Sequence, residues 1–252
     1  YFNNAIENCV KSIVGVQFRN CATIGGSIFS RFGFSDPLTC LLALDSYVKL
    51  YKGGVISMRE FINMPYDNDI LEKVIIKKDN RKISYMSHRN ISTDFPVLTC
   101  AVSKIGDKFA VAVGARPQKA VLVLDEENIL SCDPTKDEIE KFADYVEGKL
   151  TFGSNMRASK DFRSHLCKVL VKRCINEVVD MEIKFWLNGK MIKDEIEPDI
   201  LLLEYVRSKG CYSVKRGCET ANCGLCTVWV ENKPVLSCST LAAQVNNKHV
   251  VT

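Results

Sequence analysis

The sequence predicts an α+β protein with two dissimilar parts, and three observations point to it. Short apolar, β-branched runs separated by Gly-Asp, Asn-Gly or charged turns recur across 82–124 and again across 181–196, as strands do. Two other stretches, 135–148 and 157–177, space their apolar residues at helical intervals. Near residue 180 the pattern changes to a hairpin, a short helix and a cysteine-rich loop.

Composition sets the outer bounds. At 252 residues the chain can hold one large domain or two modest ones, each with its own core. Its 46% apolar and 25% charged residues are typical of a soluble globular protein. No apolar run approaches the roughly 18–20 residues of a membrane span. The opening "YFNNAIENCVKSIVG" lacks the segments of a signal peptide, and without an initiator Met it fits a chain that begins inside a longer protein. The net charge of +4 is mild, and pieces such as "VIIKKDNRK" read as solvated surface. Neither a nucleic acid nor a membrane is therefore expected as a partner.

Residues 1–15 carry a weak helical pattern. "RNCATIGGSIFSRFGFSDPLTCLLALDSYVKLY" reads as a glycine turn, a loop, an apolar helix over about 36–44 and a strand. "GGVISMREFI" adds a turn, a strand and a helix start. Strands follow in "ILEKVIIKK", "KISYMSH", "VLTCAVSKI", "KFAVAVGA" and "KAVLVLD", with Gly106-Asp107 turning the third into the fourth. The helix over 135–148 takes Asp133 or Thr135 as its cap, with Pro134 near its start. Beyond it, "MEIKFWLNGKMIKDEIE" is a hairpin turning at Asn188-Gly189, and "PDILLLEYVRSKG" is a short amphipathic helix ending at Gly210. "CTVWVENKPVLSC" is a second hairpin. Hairpin, helix, ligand loop and hairpin together suggest a β-grasp ferredoxin domain, and Met181 stands where an independent gene could begin.

Eight of the 12 cysteines (Cys9, Cys21, Cys40, Cys100, Cys132, Cys167, Cys174 and Cys211) lie scattered in apolar or helical contexts, where a thiol acts as a small hydrophobe. Cys218, Cys223, Cys226 and Cys238 are clustered in "GCETANCGLCTVWVENKPVLSC". That contrast favours a reducing, cytoplasmic setting and a metal centre over disulfides. Zinc sites commonly pair two short knuckles, whereas only Cys223 and Cys226 form one here. The C-x4-C-x2-C spacing with a distant fourth Cys is the plant-type [2Fe–2S] pattern, in which each iron takes two thiolates. Gly217 and Gly224 suit a loop that bends tightly and aims N–H groups at the sulfurs. His88, His165 and His249 show no ligand spacing, and no acid–base dyad or nucleophile elbow is visible.

The eleven-residue gap before Cys238, with "LNGK…PDILLLEYVRSKGC" ahead of it and "SCSTLA" after it, resembles the first cluster domain of the xanthine dehydrogenase (molybdenum hydroxylase) family. Iron–sulfur subunits of succinate dehydrogenase and fumarate reductase share the cysteine spacing, so the cysteines alone leave both open. "RNCATIGGSIFSRFGFSD" resembles the FAD-binding subunit of the first family, where an Arg-Asn-x-x-Thr-Ile-Gly-Gly-Asn loop precedes a Ser-x-x-x-Asp element. Matched residue by residue, Gly25, Gly26, Ser27, Ser30 and Asp36 fall on FAD-contacting positions, with Ser27 in place of the usual Asn. Ile70 or Leu71 falls where the family packs an apolar side chain near the isoalloxazine, and Met86 about where some members carry a lysine. "SNMRASKDFRSHLCKVLVKR" is similar to the helix that closes that subunit.

The resemblance implies three segments: 1–80 as the second half of an FAD-binding domain, 81–180 as the flavoprotein carboxy-terminal subdomain, and 181–252 as the [2Fe–2S] domain. It also implies an internal piece of a longer protein, with an Ala-Gly-Gly-Thr-Asp-type diphosphate loop ahead of it and a second [2Fe–2S] domain and a molybdopterin domain beyond it. The expected function is electron transfer: a molybdopterin partner oxidises substrate, and electrons pass through iron–sulfur to FAD and on to an acceptor such as NAD. The alternative is a ferredoxin-like module fused to a docking domain that binds no flavin, or an iron–sulfur portion related to succinate dehydrogenase.

Overall fold

The structure is a computed structural model that describes residues 2–66, 68–179, 181–196 and 199–252. Pro198, which opens the expected helical segment at 198–210, lies outside the described residues. The chain divides into two compact units, Tyr1–Val178 and Val179–Thr252.

The first unit begins with three short helices, α1 (Ala5–Lys11), α2 (Val16–Cys21) and α3 (Ile24–Phe29), followed by α4 (Asp36–Ala43). A small sheet of β1 (Ser46–Leu50), β2 (Gly54–Ser57) and β3 (Leu71–Ile76) runs in the order β2-β1-β3, with α5 (Met58–Phe61) after β2. A second sheet, entirely antiparallel, takes β4 (Lys82–His88), β5 (Leu98–Ile105), β6 (Lys108–Gly114) and β7 (Val121–Leu124) in sequence order. Helices α6 (Lys136–Gly148) and α7 (Lys160–Val178) close the unit.

Burial explains this layering. Six consecutive residues of β5, Leu98–Ser103, are buried, so both faces of the sheet need cover. Helix α7 packs on β4 and β5, and α4 packs on β5 and β6. Ala101 and Ala112, paired across the two strands, belong to the same core cluster as Leu38 and Leu42 of α4. Small residues on that face let the helix approach the sheet closely. Every residue of α4 is buried, including Asp36 at its first position. Full burial of Leu38 and Leu42 contributes roughly 1.5–3 kcal/mol each.

Local capping behaves as the sequence indicates at α6. Thr135 is the cap: its Oγ1 accepts from the Glu138 N–H at 3.3 Å while its own N–H donates to Glu138 Oε2 at 2.9 Å. The expected glycine turn at 25–26 is instead the first turn of α3, because Thr23 Oγ1 accepts from the Gly26 N–H at 3.0 Å and starts a helix there. Helix α7 begins at Lys160 rather than 157, since residues 155–158 form a bridged turn ahead of it. Arg163, 1% exposed, holds that turn. Its Nε donates to the Val97 carbonyl at 2.9 Å, Nη1 to the Gly153 and Ala158 carbonyls at 2.6 and 2.7 Å, and Nη2 to Asn155 Oδ1 at 2.6 Å.

In the second unit β8 (Met181–Leu187), β9 (Lys190–Ile196), β10 (Thr227–Val230), β11 (Lys233–Leu236) and β12 (His249–Val251) form one sheet in the order β11-β10-β12-β8-β9. β8 and β9 turn at Asn188-Gly189 as expected. β12, for which the sequence offered no strand signal, inserts at the centre, parallel to β8 and antiparallel to β10. Helix α8 (Leu202–Ser208) contributes Leu202, Leu203, Tyr205 and Val206 to a core shared with Phe185, Val228 and Val250. Among the described residues, no helix is long and apolar enough to cross a membrane.

Removing Arg163 leaves several buried acceptors without a donor. Arg163→Ala is therefore expected to cost about 3 kcal/mol or more in urea unfolding. A change below about 1 kcal/mol would show that water replaces the guanidinium at no penalty.

Candidate functional site

The residues singled out in the first unit fall into two groups. Gly26, Ser27 and Asp36 line one cavity of about 380 Å³, whereas Gly25, Ser30, Ile70 and Leu71 do not. Ser30 Oγ donates to the Gly26 carbonyl at 3.0 Å within its own helix. Leu71 lies beside Gly25, where an added Cβ would meet Leu71 Cδ2 at an ordinary 3.8 Å. Ile70 is exposed. Packing within the chain thus gives no steric reason for the glycine at 25, and a glycine inside a helix costs about 0.5–1 kcal/mol against alanine.

Asp36 is not the cap of α4. Ser35 is, its Oγ accepting from the Leu38 N–H at 3.3 Å. The Asp36 carboxylate, 4% exposed, instead accepts at Oδ1 from the Tyr85 hydroxyl at 2.5 Å and from Arg89 Nη2 at 2.6 Å. Burial pushes its carboxyl above the ordinary value, and the Arg89 charge and the two hydrogen bonds pull it part of the way back. Burial and the neighbouring carboxylate push the Tyr85 hydroxyl well up, so it remains a neutral donor. The sequence reading missed Tyr85 and Arg89, and "SYMSHRN" carries no local pattern that marks them.

Aromatic rings wall the cavity. Phe18, Phe32, Phe34 and Phe95 line it, with the Phe32 and Phe34 rings stacked at 5.1 Å and the Phe34 and Phe95 rings tilted at 4.5 Å. Such walls with a few converging polar groups suit a flat, partly polar organic molecule.

In the second unit the loop between α8 and β10 wraps its backbone around a sulfur. The N–H groups of Thr220, Asn222 and Cys223 reach Cys218 Sγ at 3.5, 3.3 and 3.2 Å, and the Cys218 N–H reaches Cys223 Sγ at 3.4 Å. Glu219, Ala221 and Gly224 take positive φ (53°, 61° and 75°), which turns successive N–H groups inward. The hydrogen bonds lower the Cys218 thiol to about 6. Cys226 and Cys238 form a second, buried pair, in which the Cys226 thiol holds that of Cys238 above its ordinary value. Among the described residues, no three His, Cys, Asp or Glu side chains converge tightly enough for a single metal ion. The four thiols lie two and two, a donor set that suits a thiophilic centre with two thiolates on each side. Cys211, expected to be a buried thiol, is half-buried and accepts from Asn188 Nδ2 at 3.7 Å.

Gly217 has no room for a side chain: a Cβ would lie 2.6 Å from Cys223 Sγ and 2.9 Å from Leu225 Cδ1. Gly217→Ala is expected to displace Cys223, loosen its N–H contact with Cys218 Sγ and raise the pH at which Cys218 is alkylated, while Gly148→Ala, with open space around it, leaves that pH unchanged. In metal-free protein, alkylation of Cys218 is expected to rise with a midpoint at about pH 6. A midpoint near the ordinary thiol value of 9.0 would mean that the N–H groups do not hold the thiolate.

Comparison with known proteins follows the same division. Residues 3–78 match the FAD binding domain in molybdopterin dehydrogenase, and 83–178 match the CO dehydrogenase flavoprotein C-terminal domain. The chain is 37% identical over 89 residues to xanthine dehydrogenase of Emericella nidulans, an alignment covering 31% of this chain and 6% of that protein. It is 39% identical over 67 residues to the nicotinate dehydrogenase small FeS subunit of Eubacterium barkeri, covering 26% of this chain and 43% of that subunit. These alignments thus span less than half of either relative. Among solved structures, carbon monoxide dehydrogenase of Hydrogenophaga pseudoflava shares the fold with a TM-score of 0.61 at 20% identity, over 68% of this chain and 65% of that one. The chain therefore carries the FAD-binding and carboxy-terminal domains of a molybdenum-hydroxylase-type flavoprotein and is related to the xanthine and CO dehydrogenase oxidoreductases.

Proposed function

We propose that this chain is the electron-carrying part of a molybdenum hydroxylase, with FAD on its first unit and one [2Fe–2S] cluster on its second. The observation that carries the flavin half is the convergence of Gly26, Ser27 and Asp36 on one aromatic-walled cavity within the residues that match an FAD-binding domain. Ser27 offers a hydroxyl at the cavity, and Asp36 offers an acceptor held in place by Tyr85 and Arg89. Gly25, Ser30 and one of Ile70 or Leu71 complete the proposed flavin contacts on the adjoining face of α3 and β3.

Cys218, Cys223, Cys226 and Cys238 would hold the cluster. The all-thiol donor set and the backbone N–H groups on Cys218 Sγ support this, since hydrogen bonds to the ligand sulfurs help tune the potential. The mixed sheet with α8 against it supports a β-grasp ferredoxin domain for 181–252. When bound, the cluster exchanges single electrons and FAD one or two, so the pair can bridge one-electron and two-electron partners. The chain's own residues would hold the cofactors in place and keep water from the buried Cys226 and Cys238 thiols. Substrate oxidation then belongs to a molybdopterin-containing subunit or domain, and a second [2Fe–2S] domain and an acceptor such as NAD complete the route. The relative named as a small FeS subunit is in keeping with such an assembly.

Anaerobically reconstituted protein is expected to contain two irons and two sulfides per chain. Serine at Cys218, Cys223, Cys226 or Cys238 should lower both and bleach the visible absorption, while Cys211→Ser should not. Stoichiometric zinc without sulfide would end the cluster assignment. Because the expected second diphosphate loop lies ahead of this chain, FAD should quench and saturate near one per chain only in the longer protein and bind this chain alone weakly; no saturable quenching in the longer protein would end the flavin assignment.

A further inference from the structure

Strand β7 leaves one edge of its sheet open. Among the described residues it pairs with β6 alone and is the last strand of the sheet. Its sequence, Val-Leu-Val-Leu, carries no charge and no proline. An open apolar edge presents a row of backbone donors and acceptors to other chains, and proteins ordinarily cover it, charge it or place a proline in it. β4, at the other edge of the same sheet, packs against α1 and carries Lys82 and His88. In the second unit the outer strand β9 carries Lys190, Lys193, Asp194 and Glu195, and β11 carries Pro234. β7 has none of these devices.

A cleft of about 440 Å³ runs along this edge, and all four residues of β7 line it. Buried Ile62 also lines it, and Leu122 packs against the same core. Arg59 of α5 flanks the edge on the side of α4, and Lys149, at the end of α6, flanks it on the side of α7. One cation thus stands beside the edge on each face of the sheet. Among the described residues neither forms an ion pair, and the Lys149 ammonium lies 5.0 Å from the Tyr145 ring centroid. Glu126, two residues past β7, is the one acid in the lining.

We infer that β7 takes a fifth strand from a partner protein: an extended segment with an apolar centre over Leu122 and Ile62 and acidic residues that meet Arg59 and Lys149. Backbone hydrogen bonds along β7 supply the attachment, and the two cations select the charge of the segment. Side chains of an added strand alternate between the two faces, so neighbouring acidic residues reach one cation each. Neither FAD nor an iron–sulfur cluster is needed for this binding.

The test titrates a labelled, end-capped peptide, Glu-Glu-Val-Ile-Val-Glu-Glu, into the full chain at low salt, where such charges are least screened. Saturable binding that slows backbone hydrogen exchange across Val121–Leu124 is expected. Two further peptides carry N-methyl groups at the odd or at the even backbone nitrogens. The one whose methyl groups face β7 should bind at least tenfold more weakly and the other less than threefold. R59E/K149E, with an unchanged melting temperature, should weaken the parent peptide at least tenfold. No saturable binding overturns the proposal. Equal binding of the two methylated peptides overturns strand addition, and equal binding by R59E/K149E overturns the acidic partner. Self-association that protects Val121–Leu124 without peptide, and that the peptide does not reverse, assigns the edge to a second copy of the chain and likewise overturns it. If R59E/K149E melts early, R59Q/K149Q decides on the same outcomes.

Discussion

Burying the Asp36 carboxylate in the first turn of α4 demands donors that its own helix cannot supply, because Ser35 already serves as the cap. Tyr85 and Arg89, from β4 and the turn after it, meet that demand at one oxygen. The first unit is organised around this requirement. Helix α4 is buried along its whole length, so its start must be tied to the sheet that covers it, and the tie also closes one side of the aromatic cavity. A carboxylate without those donors would stay protonated or draw in water, and α4 would lose its seat.

The two units build their candidate sites in different ways. In the first, ordered side chains from separated parts of the chain surround a cavity with rings and a buried ion pair. In the second, a short loop uses its own backbone, with positive φ at Glu219, Ala221 and Gly224 turning N–H groups onto one sulfur. The buried Cys226 and Cys238 anchor that loop to the sheet, where the Ser237 N–H and hydroxyl both donate to the Cys226 carbonyl at 3.2 and 2.7 Å. A loop built this way tolerates little change at Gly217, because the sulfur of Cys223 occupies the space a side chain would need.

Much of the fold was legible in the sequence wherever neighbours in the chain decide the outcome. The Asn188-Gly189 hairpin, the Thr135 cap with Glu138 three residues on, and the boundaries of α4 follow from residues a few positions apart. The spacing of Cys218, Cys223 and Cys226 is local in the same sense, since the three lie on one loop. Local reading failed where a neighbour's preference was overruled: Gly25 and Gly26 were read as a turn, yet the Thr23 cap and the contact of α3 with β3 make them helical. β12 was invisible because three residues, His249–Val251, become a strand only between β8 and β10.

By itself, then, the sequence indicated the hairpins and the longer helices, grouped four cysteines by their spacing and marked the residues that resemble flavin contacts. Tertiary structure alone decided that Gly26, Ser27 and Asp36 line one cavity while Gly25, Ser30, Ile70 and Leu71 lie outside it. It also decided that Asp36 is met by Tyr85 and Arg89, 49 and 53 positions along the chain. The physical reason is one of range. Turn geometry, capping and ligand spacing are set within a few residues, whereas the partners of a buried charge are set by whichever side chains the packed core brings within hydrogen-bond reach.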